Sequence, residues 1–290
     1  MPNHKLNTTA TTTSAKSILQ NLINIHYHKA KVWTGWLVAA EILIYMAGVV
    51  AVFLPNVPLE YPAVALVIVL ITTRISIKAE KFKWVAESLK RQFEYCEGFG
   101  QPPSRGQLAD LRASVDCTLS DKFDALLKEG LNYSSEQPLG HRRSLENLCE
   151  SAWFSKHLAG WCSEKLRALF VVCIIGAVVI LLIVASSAPV GNHVATLIAK
   201  CVSSTLTFLV SIGILRSWLA YADFSKEAGS LETEAQRLLE DKSAGAFEAQ
   251  RLLAEYQLLR ATSPSIPTWV WKIRRKTLNQ NWAELKRPTK

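Results

Sequence analysis

Apolar residues along this chain gather into four long runs, 32–54, 61–77, 168–188 and 193–218, separated by polar stretches. Each run approaches the ~20 residues that a helix needs to cross ~30 Å of hydrocarbon. The pattern therefore predicts an all-α integral membrane protein with four transmembrane helices in two hairpins. Lysine and arginine sharpen the picture, because the short links 55–60 and 189–193 contain neither. Lys29, Lys31, Lys78, Lys81, Lys83, Lys165, Arg167, Arg216 and Lys226 flank the opposite ends. The positive-inside rule then predicts a multi-pass protein of the cell's inner membrane with both termini and the long middle loop cytoplasmic. Trp33, Trp36, Trp161 and Trp218 fit an aromatic belt at that inner face. About thirty residues, NHKLNTTATTTSAKS among them, precede the first run, so no cleaved signal peptide is expected.

Outside the apolar runs the periodicity is that of amphipathic helices. Phe82, Val85, Leu89, Phe93 and Cys96 recur at threes and fours on a helix that continues the second span. GFGQPPSRG, residues 98–106, breaks it with two prolines and three glycines. A second cytoplasmic helix is predicted from Leu108, Leu111, Val115, Leu119, Phe123 and Leu126, followed by a loop at NYSSEQPLG. A third begins near Arg142 or Ser144 and carries Leu145, Leu148, Ala152, Leu158 and Trp161 toward the third span. Beyond the fourth span, Leu231, Ala235, Leu238, Leu252, Tyr256 and Leu259 predict one broken helix or two consecutive ones. The turn SPSIP then introduces an amphipathic piece, WVWKIRRKTLNQNWAELKR, suited either to the inner leaflet or to packing on the helical layer. The expected division is a cytoplasmic arm at 1–31, hairpins at 32–77 and 168–216, and cytoplasmic helical regions at 78–167 and 217–290. Each hairpin would carry its cytoplasmic extension rigidly, so a change in the helical layer would tilt or rotate the spans.

The fourth run, HVATLIAKCVSSTLTFLVSIGILRSW, is not uniformly apolar. At about 100° per residue, Thr196, Lys200, Ser203, Ser204, Thr207 and Ser211 share roughly a 100° arc, with Thr205 opposite. That face either packs on a neighbouring helix, with Lys200 reaching outer water, or lines a wet path once several copies assemble. Glu41 in the first span adds a second costly charge, on the side begun by Thr34 and continued by Tyr45. A Glu41–Lys200 pair locking a closed state is one arrangement that such placement allows.

Composition narrows the chemistry. The chain of 290 residues is 49% hydrophobic with a formal charge of +9, which suits anionic lipid first and a phosphate-bearing ligand second. No nucleic-acid module accompanies the charge, so nucleic acid is not an expected partner. The six cysteines form no C-x-x-C pair, and His26 and His28 are two apart, so neither disulfides nor a metal site is expected. Metal-protease, P-loop, dinucleotide-turn and nucleophile-elbow motifs are all missing, which leaves no expected cofactor and no expected enzymatic activity. Phosphate-binding chemistry is concentrated at GHRRS, where Arg142 and Arg143 open a helix. The alternative there is that both arginines are solvated or touch headgroups.

Three local patterns carry a resemblance. AEKFKWVAESLKRQFEY, PLGHRRSLENLCESAWFSKHL and LLAEYQLLRATSPSIPTWVWKIRRKTLNQNW, taken in order, resemble the SMODS-associated four-transmembrane family of predicted pore-forming effectors from bacterial antiphage systems. The order of elements covers nearly the whole chain. In place of that family's Cys-Gln-Arg-x-Asn-like run stand HRRSLEN and SAWFSKHL, with Arg143 and Asn147 differently spaced. The resemblance implies an effector, functionally associated with a nucleotidyltransferase, that a cyclic oligonucleotide or related nucleotide signal switches on. It further implies permeabilisation of the inner membrane and abortive infection. Four helices in one copy need not enclose a channel, so a homo-oligomer is expected. A non-conducting membrane scaffold or receptor subunit is the rival reading.

Overall fold

A computed structural model describes residues 3–53, 61–104, 106–107, 109–110, 133–187, 196, 198, 200–202, 205 and 213–286. Among the described residues all regular structure is α-helical. The helices are α1 (Asn3–Phe53), α2 (Tyr61–Phe99), α3 (His141–Ser187), α4 (Ile214–Glu240), α5 (Ala246–Thr262) and α6 (Thr268–Leu285). Thr196, Ile198, Lys200, Cys201, Val202 and Thr205 are helical as well. The helix expected across Leu108 to Leu126 lies almost wholly outside the described residues.

The chain divides into two compact units. The first comprises Met1–Lys31, Glu80–Ala159 and Asp223–Lys290; the second comprises Val32–Ala79 and Gly160–Ala222. We call them the polar-helix unit and the apolar-helix unit.

In the polar-helix unit, amphipathic stripes meet in two cores. Leu145, Leu148, Cys149 and Ala152 recur at threes and fours on α3 and pack against Leu238 of α4 and Leu252 of α5. The second core joins Leu19, Leu22 and Ile23 of α1 to Leu89 and Phe93 of α2. This is where the structure extends the sequence reading: residues 3–31 were an arm without assigned structure, whereas they form the first half of α1. A stripe at Leu19, Leu22, Ile23 and His26 supplies the reason, since burial of one helical face outweighs the weak helix preference of the threonine-rich start.

Gly100, with φ of +69°, ends α2 in the left-handed conformation that glycine adopts without steric cost, and its N–H donates to the Cys96 carbonyl at 3.2 Å. Gly98 permits a close approach: a methyl there would lie 2.9 Å from Ser144 Cβ. The Gly140 N–H donates to the Gly98 carbonyl at 2.8 Å. The break read from GFGQPPSRG is thus the place where the ends of α2 and α3 touch.

The apolar-helix unit reverses the usual distribution. Leu43, Val172 and Leu182 are 70%, 67% and 64% exposed, and Leu66, Val67 and Leu70 of α2 are exposed too. Two stretches, Lys16–Gly48 within α1 and His141–Ile183 within α3, are long and apolar enough to cross a membrane. The second expected span, 61–77, is helical throughout as the start of α2, while the fourth is described only in part.

Inside this unit the Thr205 hydroxyl donates to the Cys201 carbonyl at 2.9 Å, so in its 2.8 Å contact with Tyr45 the tyrosine is the donor. Lys78 lies 4.7 Å from the ring centre of Trp33, and Phe170 lies 6.2 Å from Trp218. These contacts, one basic–aromatic and one aromatic–aromatic, lie at the ends of the apolar runs that the sequence reading assigned to the inner face.

Candidate functional site

The polar-helix unit contains a buried ionic network with α2 at its centre. Glu87 and Glu94 are seven residues apart and so share one face of the helix. Arg260 of α5 enters between them. Its Nε donates to Glu87 at 2.7 Å, and its two terminal nitrogens donate to the oxygens of Glu94 at 2.6 and 3.2 Å. All three side chains are at most 8% exposed.

Neighbouring groups complete the network. Tyr27 of α1 donates to Glu87, Gln257 donates to Glu94 at 2.8 Å, and Tyr133 donates to Glu94 at 3.4 Å. Burial raises the Glu87 carboxyl pKa, but Arg260 and Lys90 outweigh that effect and hold it below the ordinary value. Burial, reinforced by Glu87, raises the Tyr27 hydroxyl well above its ordinary range, so it stays a neutral donor. Helices α2 and α5 are therefore tied by ion pairs, and α1 joins them through the neutral Tyr27 hydroxyl.

Beside the network opens a cavity of about 490 Å³, within the about 300–1,000 Å³ range of small-molecule sites. Five basic side chains line it, Lys31, Lys83, Lys90, Arg260 and Arg275, against two acidic ones, Glu87 and Glu150. The basic groups are engaged to different degrees. Arg260 is held by two carboxylates. Lys83 caps the end of α5, donating to the Ala261 carbonyl at 2.8 Å and to that of Ser263. Lys31 and Lys90 differ from these: among the described residues neither Nζ makes a hydrogen bond or an ion pair, and Lys90 is the less exposed of the two. Glu87 and Glu94, its neighbours on α2, are both turned to Arg260. Burial, and then the adjacent Arg260 charge, lower the Lys90 ammonium to about 8.

The remaining wall is aromatic. Phe154 and Trp271 meet edge to face with centroids 5.7 Å apart, and Tyr256 lines the cavity as well. The Tyr256 hydroxyl donates to the Ser151 carbonyl at 3.0 Å, which leaves it to accept from Ser155 at 2.8 Å. The walls of the cavity are thus fixed by bonds that do not depend on a ligand.

The residues singled out from sequence fall elsewhere. Arg143 is bound to Glu97, whose other oxygen takes Lys16 at 2.6 Å, and it donates to the Gln137 carbonyl at 3.1 Å. Arg142 donates to the Leu239 carbonyl at 2.6 Å. The structure therefore uses both arginines as ties between helices, and neither lines the cavity. Thr196 and Lys200 are exposed, and Glu41 is half-exposed with no ion pair to Lys200 among the described residues. Ser203, Ser204, Thr207 and Ser211 lie outside the described residues. Among the residues described there, Tyr45 of the first expected span meets Thr205, the residue set opposite the polar arc.

In the last amphipathic helix, α6, Val270 and Leu278 are buried and Trp282 packs on Trp153 at 5.3 Å. Trp269 and Ile273 are exposed. No group of metal-ligating side chains occurs among the described residues.

Sequence reasoning missed Glu87, Lys90, Glu94 and Arg260. A signal was present in charges at i, i+3 and i+7 of one helix, and in an arginine set inside the apolar stretch QLLRA. Compared with protein-family models, with curated proteins and with solved structures, the chain matches none.

Proposed function

We propose that this protein is a membrane-permeabilising, pore-forming effector of a bacterial antiphage defence system, switched by a nucleotide second messenger. In this reading it crosses the inner membrane four times, with both termini cytoplasmic. The polar-helix unit senses the signal, copies associate through the spans, and opening the assembly causes abortive infection. The observation that carries the reading is the basic and aromatic cavity of about 490 Å³, which belongs to a chain whose other unit exposes its leucines and valines. The resemblance to the SMODS-associated four-transmembrane family supports it further.

The energetic requirement is modest. A ligand opens an assembly only by binding the open form more tightly, and a hundredfold preference supplies about 2.7 kcal/mol. Helices α1 to α4 each contribute residues to both units, so a shift in the sensing helices has a continuous path to the spans.

The test is release of an encapsulated dye from liposomes holding the full chain, with and without a panel of cyclic di- and trinucleotides. Release confined to one ligand supports the proposal. Silence across the panel with the protein correctly inserted leaves the non-conducting scaffold as the better account.

A further inference from the structure

We infer that the cavity is the receptor site itself and that Lys90 is its phosphate-binding group, the ligand being a nucleotide whose planar base lies against the Phe154–Trp271 wall. This assignment rests on the sensing half of the function proposed above and does not depend on pore formation.

The argument starts from charge. An ammonium kept partly out of water without a carboxylate in contact is costly, because its desolvation is not offset by a direct pair. The chain maintains that situation at Lys90 while engaging the nearby carboxylates elsewhere: Glu87 and Glu94 both bind Arg260. Glu150, the other acidic lining group, accepts from the Ser134 amide at 3.0 Å and from its hydroxyl. An anion entering the cavity would meet two ammonium groups, Lys31 and Lys90, that have no hydrogen-bond or ion-pair partner among the described residues, and of the two Lys90 is the less exposed. Lys83 and Arg275 add to the positive field of the same wall.

The aromatic side selects further. Phe154 and Trp271, packed edge to face, both line the same cavity, and base stacking on such groups is worth about 1–3 kcal/mol. Phosphate and planar ring together describe a nucleotide better than an inorganic anion or a sugar phosphate. An anionic lipid headgroup shares the phosphate but lacks the ring.

The test uses the full chain in detergent and measures binding of cyclic di-adenosine monophosphate, ATP and inorganic phosphate by calorimetry. Lys90→Met keeps the length of the side chain and removes its charge; Lys90→Arg keeps the charge. At least one nucleotide should bind more tightly than inorganic phosphate. Lys90→Met should weaken it by about tenfold or more, and Lys90→Arg should stay within about threefold of the parent. Thermal midpoints report folding, and Lys90→Met should not lower them.

Equal nucleotide affinity in the parent and in a folded Lys90→Met protein overturns the assignment, as does the absence of saturable binding for every probe at about 1 mM. Short-chain phosphatidylglycerol supplies the lipid arm; displacement of the nucleotide at lower concentration than the nucleotide itself requires overturns the soluble-ligand assignment. Lys90-dependent binding without dye release would sink the permeabilising reading and leave the site standing. Dye release with an unchanged response in Lys90→Met would do the reverse.

Discussion

The two units of this chain place leucine oppositely. In the polar-helix unit Leu145, Leu148 and Leu252 are at most 2% exposed, whereas in the apolar-helix unit Leu43 and Leu182 are more than 60% exposed. In water such exposure forgoes about 25 cal/mol per Å², and a unit built that way would associate or aggregate. In hydrocarbon the same exposure costs nothing, since lipid tails are as apolar as leucine. The polar-helix unit is organised by burial around cores and one ionic network, while the apolar-helix unit is organised by helix length and a few polar contacts such as Tyr45 with Thr205.

The contrast breaks most decisively at Arg260. Replacing it with alanine leaves Glu87 and Glu94 buried without a counter-charge, a loss of about 3–5 kcal/mol, which a denaturant titration of the polar-helix unit's fluorescence would register. Converting both glutamates to glutamine in that background should recover much of the loss. A next test compares leucines directly. Leu252→Ala should cost about 2–5 kcal/mol, whereas Leu43→Ala should stay within about 0.5 kcal/mol; equal effects would erase the distinction between the units.

Lys90 provides a subtler probe. Its ammonium is charged in both folded and unfolded chains below about 8, and neutral in both above the ordinary 10.5. Between those limits the unfolded chain binds more protons, so this residue makes stability rise with pH. Burial sets the window first and Arg260 from α5 widens it, while Glu94 and Glu87 on its own helix narrow it. Lys90→Met should remove that increment from a stability profile measured across the same range. The smallest expected effect belongs to Tyr45→Phe, which deletes the contact with Thr205 and should cost about 0.6 kcal/mol, read as a slight drop in the thermal midpoint in detergent.

Much of the fold was legible because periodicity reports burial one helix at a time. Leu89, Phe93 and Cys96, then Leu145, Leu148 and Ala152, then Leu252 and Tyr256 are buried as their spacing predicts. The break at Gly98 and Gly100 was visible because tight turns need glycine for steric reasons that are local. The start of α1 was not read, since its threonines mask a stripe that becomes apolar only at Leu19. Arg142 and Arg143 stood out as possible phosphate contacts or solvated groups because sequence displays their charge; their ties to Glu97 and the Leu239 carbonyl come from other helices and are not legible there.

What the sequence determined by itself is helix and apolarity: which segments coil, where they stop, and which are long and apolar enough to cross a membrane. Those properties follow from neighbours three, four and seven residues away. That Lys90 has no carboxylate in direct contact was decided only by tertiary structure, because Arg260 reaches across about 170 residues to take the carboxylates beside it. Electrostatic pairing is set by distance in space, and no helical period encodes that.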